Sequence, residues 1–224
     1  YKKEGRAALA QALHHHILVL YFTPQAMDIT QHIQEHIPLA ALTTLGLGGK
    51  ARYLIECQTL EQIRHSLLWA AERSMKVQVL GGGSNAIFAD DGYAGLVLKI
   101  GLSGVEFVDG LATVAAGENW DSFVLHTVQR GLSGVECLAG IPGLVGATPI
   151  QNVGAYGQEV KETIVEVCAL DRQSLDEVFF TRSECDFDYR QSRFKSTDRD
   201  RYIITQVRYQ IRADDQTQIR SPDL

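Results

Sequence analysis

Gly81, Gly82 and Gly83, followed by Ser84 and Asn85, form the first stretch of this 224-residue chain whose residue types could do chemistry. With no Cβ in the way, their backbone N–H groups can approach a diphosphate closely, and the two polar side chains add donors. The same string would also serve as an ordinary glycine turn after a strand. It is neither G-x-G-x-x-G opening a helix nor G-x-x-x-x-G-K-[ST], so the Rossmann and P-loop mechanisms lack their residues. A second glycine-rich stretch runs from Gly140 to Gly157 and contains Ile141, Pro142, Gly143, Thr148, Gln151, Asn152, Gly154, Ala155 and Tyr156. So apolar a segment, poor in side-chain bulk yet carrying these polar groups, suits a backbone wrapped around a flat ligand. A buried loop packed on itself is the alternative.

Short strands and two helices must position these loops. Arg52 to Glu56 reads as a strand, and Thr59 with Gln62 forms a capping box that starts a helix ending near Ser74. Leu60, Ile63, Leu67, Leu68 and Ala71 are expected on its apolar face. Val77, Val79 and Leu80 form a strand that runs directly into the first glycine loop. Leu96 to Ile100, Gly104 to Val108 and Leu111 to Ala115 follow, the last two turning at Asp109-Gly110, a strong hairpin dipeptide that predicts antiparallel pairing. Asn119 caps a second helix carrying Phe123, Val124, Thr127 and Val128, and Gly131 stands where a left-handed terminating glycine belongs. Ile164 to Leu170, Glu177 to Phe180 and Tyr202 to Ile211 read as strands, with a turn of helix capped by Thr181 and Glu184. The expected class is α+β, mostly strand. A division falls near Lys99 to Ser103, giving lobes at residues 28–101 and 102–213 with a ligand between them.

Composition narrows the partner. A formal net charge of -6 gives no basic footprint for nucleic acid or an anionic membrane surface, which leaves a small molecule. Cys57, Cys137, Cys168 and Cys185 have neither C-x-x-C spacing nor paired histidines, so they read as reduced thiols of a cytoplasmic protein, with no metal site and no disulfide framework. The apolar run Ile17 to Phe22 is far shorter than the roughly 20 residues of a membrane span. Residues 1–27, with His14, His15 and His16, resemble a tag and its scar; a native N-terminal extension is the alternative.

Three long strings carry a specific resemblance: LGGGSNAIFADDG (Leu80 to Gly92), GLSGVECLAGIPGLVGATPIQNVGAYGQE (Gly131 to Glu159) and CDFDYRQSRFK (Cys185 to Lys195). In this order and spacing, and with TTLGLGG (Thr43 to Gly49), they resemble the signature blocks of the UDP-N-acetylenolpyruvoylglucosamine reductases, the MurB family. The resemblance covers roughly residues 40 to 212. It implies the two-lobed FAD-binding fold of the p-cresol methylhydroxylase and vanillyl-alcohol oxidase type. It further implies NADPH-driven reduction of UDP-N-acetylglucosamine enolpyruvate to UDP-N-acetylmuramate, a step of peptidoglycan precursor synthesis and so of cell-wall biogenesis, cell shape and cell division.

Residue by residue, Gly81 to Asn85 match the family's FAD-pyrophosphate loop, and Ile141, Pro142, Gly143, Thr148, Asn152, Gly154, Ala155 and Tyr156 match the segment that lines the flavin. No residue matches the attachment point of the covalently flavinylated members, so FAD is expected to be non-covalent. Arg190 matches the arginine that stabilises charge developing on the substrate, with Tyr189 and Tyr156 beside substrate and flavin. Read without the motif, Arg190 is equally a surface arginine among Arg182, Arg193, Arg199 and Arg201. The family continues into a third, substrate-binding domain supplying a serine proton donor and a glutamate, so residues 214–224 are expected to begin a linker, and the chain is expected to act as a monomer. The competing reading is a FAD-binding module or related flavin oxidoreductase without this turnover.

Overall fold

The computed structural model describes residues 28–213. The readings made for residues 1–27 and 214–224, the tag or extension and the linker, lie outside them. The described residues fall into two units that part after Gln31. In the short first one, the Thr30 amide donates to the Asp28 carboxylate at 3.0 Å.

The second unit holds two main sheets. The first is built from β1 (Gln34–Pro38), β2 (Lys50–Cys57), β3 (Val77–Leu80) and β4 (Tyr93–Ile100), in the order β1-β2-β4-β3. β1 and β2 are antiparallel, but β4 runs parallel to both β2 and β3. Antiparallel pairing, expected from the hairpin dipeptide, therefore holds elsewhere and not at the centre of this sheet. The cause is helix α1 (Leu60–Glu72), which carries the chain back along the sheet so that β3 starts from the same end as β2. Residues 95–98 of β4 are buried without alternation, as a central parallel strand requires.

Helix α1 begins with the expected capping box: Thr59 accepts from the Gln62 amide, and Gln62 accepts from the Thr59 amide. Its buried face is Ile63, Ser66, Leu67 and Ala70, whereas Leu68 and Ala71 are exposed. Leu67 and Leu68 are about 100° apart on a helix, so only one of them can face the sheet.

The second sheet is antiparallel throughout. It comprises β5 (Val105–Val108), β6 (Leu111–Ala115), β9 (Ile164–Asp171), β10 (Glu177–Thr181) and β11 (Tyr202–Gln210), in the order β10-β9-β11-β6-β5. Asp109 and Gly110 both have positive φ, as a two-residue hairpin turn demands. Helix α2 (Trp120–Gln129) is capped by Asn119, which accepts from the Ser122 amide at 2.9 Å. It ends at Gly131, whose φ is +66° and whose amide donates to Val128. Trp120 and Phe123 pack against Tyr209 of β11, with ring centroids 6.0 and 5.2 Å away. Between β6 and β9 in sequence comes a small separate hairpin, β7 (Gly154–Ala155) and β8 (Gln158–Glu159).

Candidate functional site

The first glycine loop leaves the carboxyl end of β3, where ligands gather in sheets with parallel strands. Its far side is anchored. Ala86 and Phe88 pack on the core formed by Leu39, Ala51, Leu54, Leu80 and Val97, and the Thr44 amide donates to the Gly83 carbonyl at 3.1 Å. Gly83 has φ +72°, and a Cβ there would lie 1.9 Å from the Leu42 carbonyl oxygen, so only glycine fits. The amide groups of Gly81 to Asn85 donate no hydrogen bond within the described residues. Five adjacent N–H groups on a fixed, glycine-built turn are an arrangement that binds an anion.

The second glycine loop is held along residues 116–120. Trp120 donates from its amide to the Gly143 carbonyl, Val145 to Glu118, and Gly146 to Ala116. The Trp120 indole N–H reaches the Leu138 carbonyl at 2.9 Å, and the Gly140 amide donates to the Asp121 carboxylate at 2.6 Å. The two loops touch each other: the Ser84 hydroxyl donates to the Pro142 carbonyl at 3.3 Å.

Both loops line one cleft of about 540 Å3. Gly81 to Asn85, Ile141, Pro142, Gly143 and Thr148 all face it, as do Gln151 and Gln191. The Thr148 hydroxyl itself is turned into the protein, donating to the Val145 carbonyl at 2.9 Å and bonding the Tyr209 hydroxyl at 2.8 Å. Burial pushes the Tyr209 phenol well above its ordinary range, so Tyr209 stays protonated and neutral.

The remaining residues singled out in the sequence do not line the cleft. Asn152 is fully buried, with both ends of its amide bonded to protein backbone. Gly154 and Ala155 are consumed in the β7–β8 hairpin, and Tyr156, at φ +50°, is exposed at its turn. Tyr189 is 78% exposed. Arg190 is exposed beside cleft-lining Gln191, has φ +52°, and its guanidinium has no partner among the described residues.

Several cleft residues were not singled out in the sequence. Arg172, directly after β9, donates to the Asp200 carbonyl at 2.9 Å and to the Val77 carbonyl at 3.0 Å, tying the second sheet to the edge of the first. Lys195 and Arg199 also face the cleft, against a single carboxylate among the described residues, Asp200. Three cations to one anion favour a negatively charged ligand despite the chain's overall negative charge. Lys195 belongs to a signature string and could have been found there; Arg172 and Arg199 stand in no motif. The buried thiols are not nucleophiles: desolvation raises Cys57 to about 11 and Cys185 to about 12.

A model of the FAD binding domain matches residues 51–173. The UDP-N-acetylenolpyruvoylglucosamine reductase of Streptomyces avermitilis is 47% identical over 182 residues, which are 80% of this chain and 50% of that protein. The reductase of the same name from Streptomyces coelicolor is 46% identical over 174 residues, 78% and 45% of the two chains. The chain thus spans about half the length of the curated relatives it matches. Among solved structures, UDP-N-acetylenolpyruvylglucosamine reductase (MurB) from Thermus caldophilus superposes with a TM-score of 0.65 at 27% identity, covering 80% of this chain and 61% of that one. 6-Hydroxy-D-nicotine oxidase from Arthrobacter nicotinovorans, at 19% identity and a TM-score of 0.54 over 71% and 36% of the two chains, shares the fold.

Proposed function

This chain belongs to the FAD binding domain family, with the two-lobed fold of the vanillyl-alcohol oxidase type, and we propose that it holds FAD non-covalently for the NADPH-dependent reduction of UDP-N-acetylglucosamine enolpyruvate to UDP-N-acetylmuramate. The observation that carries this reading is the meeting of two glycine loops on one cleft, one of them presenting a row of amides with no acceptor among the described residues. That cradle fits a diphosphate, and the flat, small-residue wall of the second loop fits an isoalloxazine ring. The names and identities of the relatives support the substrate.

The roles divide by location. Gly81 to Asn85 would hold the pyrophosphate, and Ile141, Pro142, Gly143 and Thr148 would line the flavin, with Asn152, Gly154, Ala155 and Tyr156 shaping the rest of that segment. FAD held there would supply the redox chemistry, hydride transfer from NADPH to the enolpyruvyl double bond. Arg190 would pair with the substrate carboxylate as it gains charge, because a planar guanidinium gives charge-assisted bonds that strengthen with that charge. Tyr189 and Tyr156 would bind substrate beside it. We assign residues 28–101 and 102–213 to the two lobes. Among the described residues no helix is long and apolar enough to cross a membrane, and we assign the protein to the cytoplasm as a monomer in peptidoglycan precursor synthesis.

Reconstitution tests this directly. The chain should take up one FAD per polypeptide, and acid precipitation should release it. In a polypeptide of the relatives' full length, NADPH should bleach the flavin, and the UDP-N-acetylglucosamine enolpyruvate should restore its colour. A folded chain that binds no FAD would refute the reading. Flavin that binds but is not reoxidised by this substrate would leave a binding module or another oxidoreductase.

A further inference from the structure

The strained turn that carries Arg190 is tied down from beneath by two buried side chains. Asp188 and Gln191 exchange backbone hydrogen bonds, each 3.1 Å, around Tyr189 and Arg190. φ is positive at Arg190 and not at Tyr189, the type II pattern in which the third position favours glycine or asparagine. An arginine there is held against its own backbone preference, and such strain persists only where the surroundings over-determine it.

The surroundings are specific. Asn152 donates from Nδ2 to the Asp188 carbonyl at 3.0 Å, while Ser192 donates from Oγ to the Ile150 carbonyl at 2.6 Å. These two bonds run in opposite directions between the same two segments, and both residues are 0% exposed. The other end of the Asn152 amide accepts from the Lys161 amide at 3.2 Å, which fixes which end is donor and which acceptor. Asn152 itself has φ +43°, a conformation asparagine tolerates better than most residues. Exposed Lys195 adds a third tie, from Nζ to the Arg190 carbonyl at 2.9 Å.

We infer that Asn152 is a positioning residue that, with Ser192, clasps the Asp188–Gln191 turn and so holds Arg190 in the one backbone conformation from which it meets the substrate carboxylate. The inference rests on the role proposed above for Arg190. It moves Asn152 from a residue that touches cofactor to one that acts through another residue.

Asn152→Asp is the test, because it keeps the shape and the acceptor facing Lys161 but replaces the donor facing Asp188 with a second acceptor. In this chain, hydrogen exchange at the Gln191 amide should quicken about tenfold, the cost of one buried hydrogen bond, while the amides of β9 and β11 keep their protection. Lowering the pH should restore part of the protection, since a protonated carboxyl donates again. In a polypeptide of the relatives' full length, Asn152→Asp should slow flavin reoxidation by the enolpyruvyl substrate about tenfold or more, and should add nothing in an Arg190→Ala background. Should Asn152→Asp fail to fold, Ser192→Ala loosens the clasp from the other side with the same expected readouts. Unchanged exchange at Gln191 would overturn the clasp. Faster exchange with unaltered reoxidation, where Arg190→Ala does slow it, would overturn the positioning role alone. If Arg190→Ala has no effect on reoxidation, the proposed role of Arg190 fails, and the exchange result still decides the clasp.

Discussion

A Cβ placed on Gly82 would come within 3.1 Å of the Gly143 Cα, so the two glycine loops meet backbone to backbone. Gly82→Ala should therefore push the loops apart by a few tenths of an ångström, and Gly82→Val by more, with an overpacking cost of about 1 to 3 kcal/mol. FAD affinity should fall about tenfold for alanine and further for valine, as read by quenching of flavin fluorescence in a titration. Equal affinity in Gly82→Val would mean that the contact between the loops does not shape the cofactor cleft.

Arg190→Ala should separate the two half-reactions, because charge develops on the substrate carboxylate only when hydride reaches the enolpyruvyl group. Reoxidation should slow by roughly 10² to 10³-fold, the usual cost of one preorganised charge-stabilising donor, and reduction by NADPH much less. Arg190→Lys should recover only part, since an ammonium cannot reproduce the planar fork. Stopped-flow absorbance of the flavin follows both steps. Equal slowing of both would return Arg190 to a structural role.

Thr148→Val should destabilise the fold by about 1 to 3 kcal/mol, because it strands the buried Tyr209 hydroxyl. Adding Tyr209→Phe should restore part of that loss by removing the stranded group. Thermal melts of the two single variants and the double variant measure the coupling, and strictly additive losses would contradict it.

Arg172→Ala removes the bond to Val77 that ties the second sheet to β3, the edge strand of the first, and a second bond to Asp200 just before β11. The guanidinium is partly exposed, so a cost of about 1 to 2 kcal/mol is expected, or a fall of about 2 to 8 °C in Tm for a chain of this size. FAD affinity should drop in parallel, because the same residue lines the cleft. Arg172→Lys should recover no more than one of the two bonds.

Acid should weaken the fold partly through Asp171. Its carboxylate accepts from the Gln173 amide at 2.8 Å and from Arg201 at 2.9 and 3.1 Å, which holds it below its ordinary value of 3.8. The unfolded chain then binds the proton more readily. The stabilisation is complete above pH 3.8 and is lost as pH falls through the lowered value. In Asp171→Asn, denaturant midpoints measured between about pH 6 and pH 2 should start lower and fall less steeply. An acid limb as steep as that of the unaltered chain would show that Asp171 does not contribute to it.

The sequence by itself determined the local structure. The Thr59 capping box, the Asn119 cap, the Asp109-Gly110 hairpin and the Gly131 terminus are all present, because each depends on hydrogen bonds and φ values within a few residues. The signature strings likewise pointed to FAD, the cofactor of the family to which the chain belongs. The tertiary structure alone decided the rest. The parallel course of β4 depends on where α1 returns the chain, and the exposure of Leu68 depends on which way that helix is rotated against its sheet. Asn152 and Arg172 are the sharpest cases. Both could have faced a ligand, but their donors end on carbonyls 36 and 95 residues away in sequence, at Asp188 and Val77. A side chain's donor is committed by whichever acceptor the folded backbone brings within 3 Å of it, and no spacing along the chain encodes that distance.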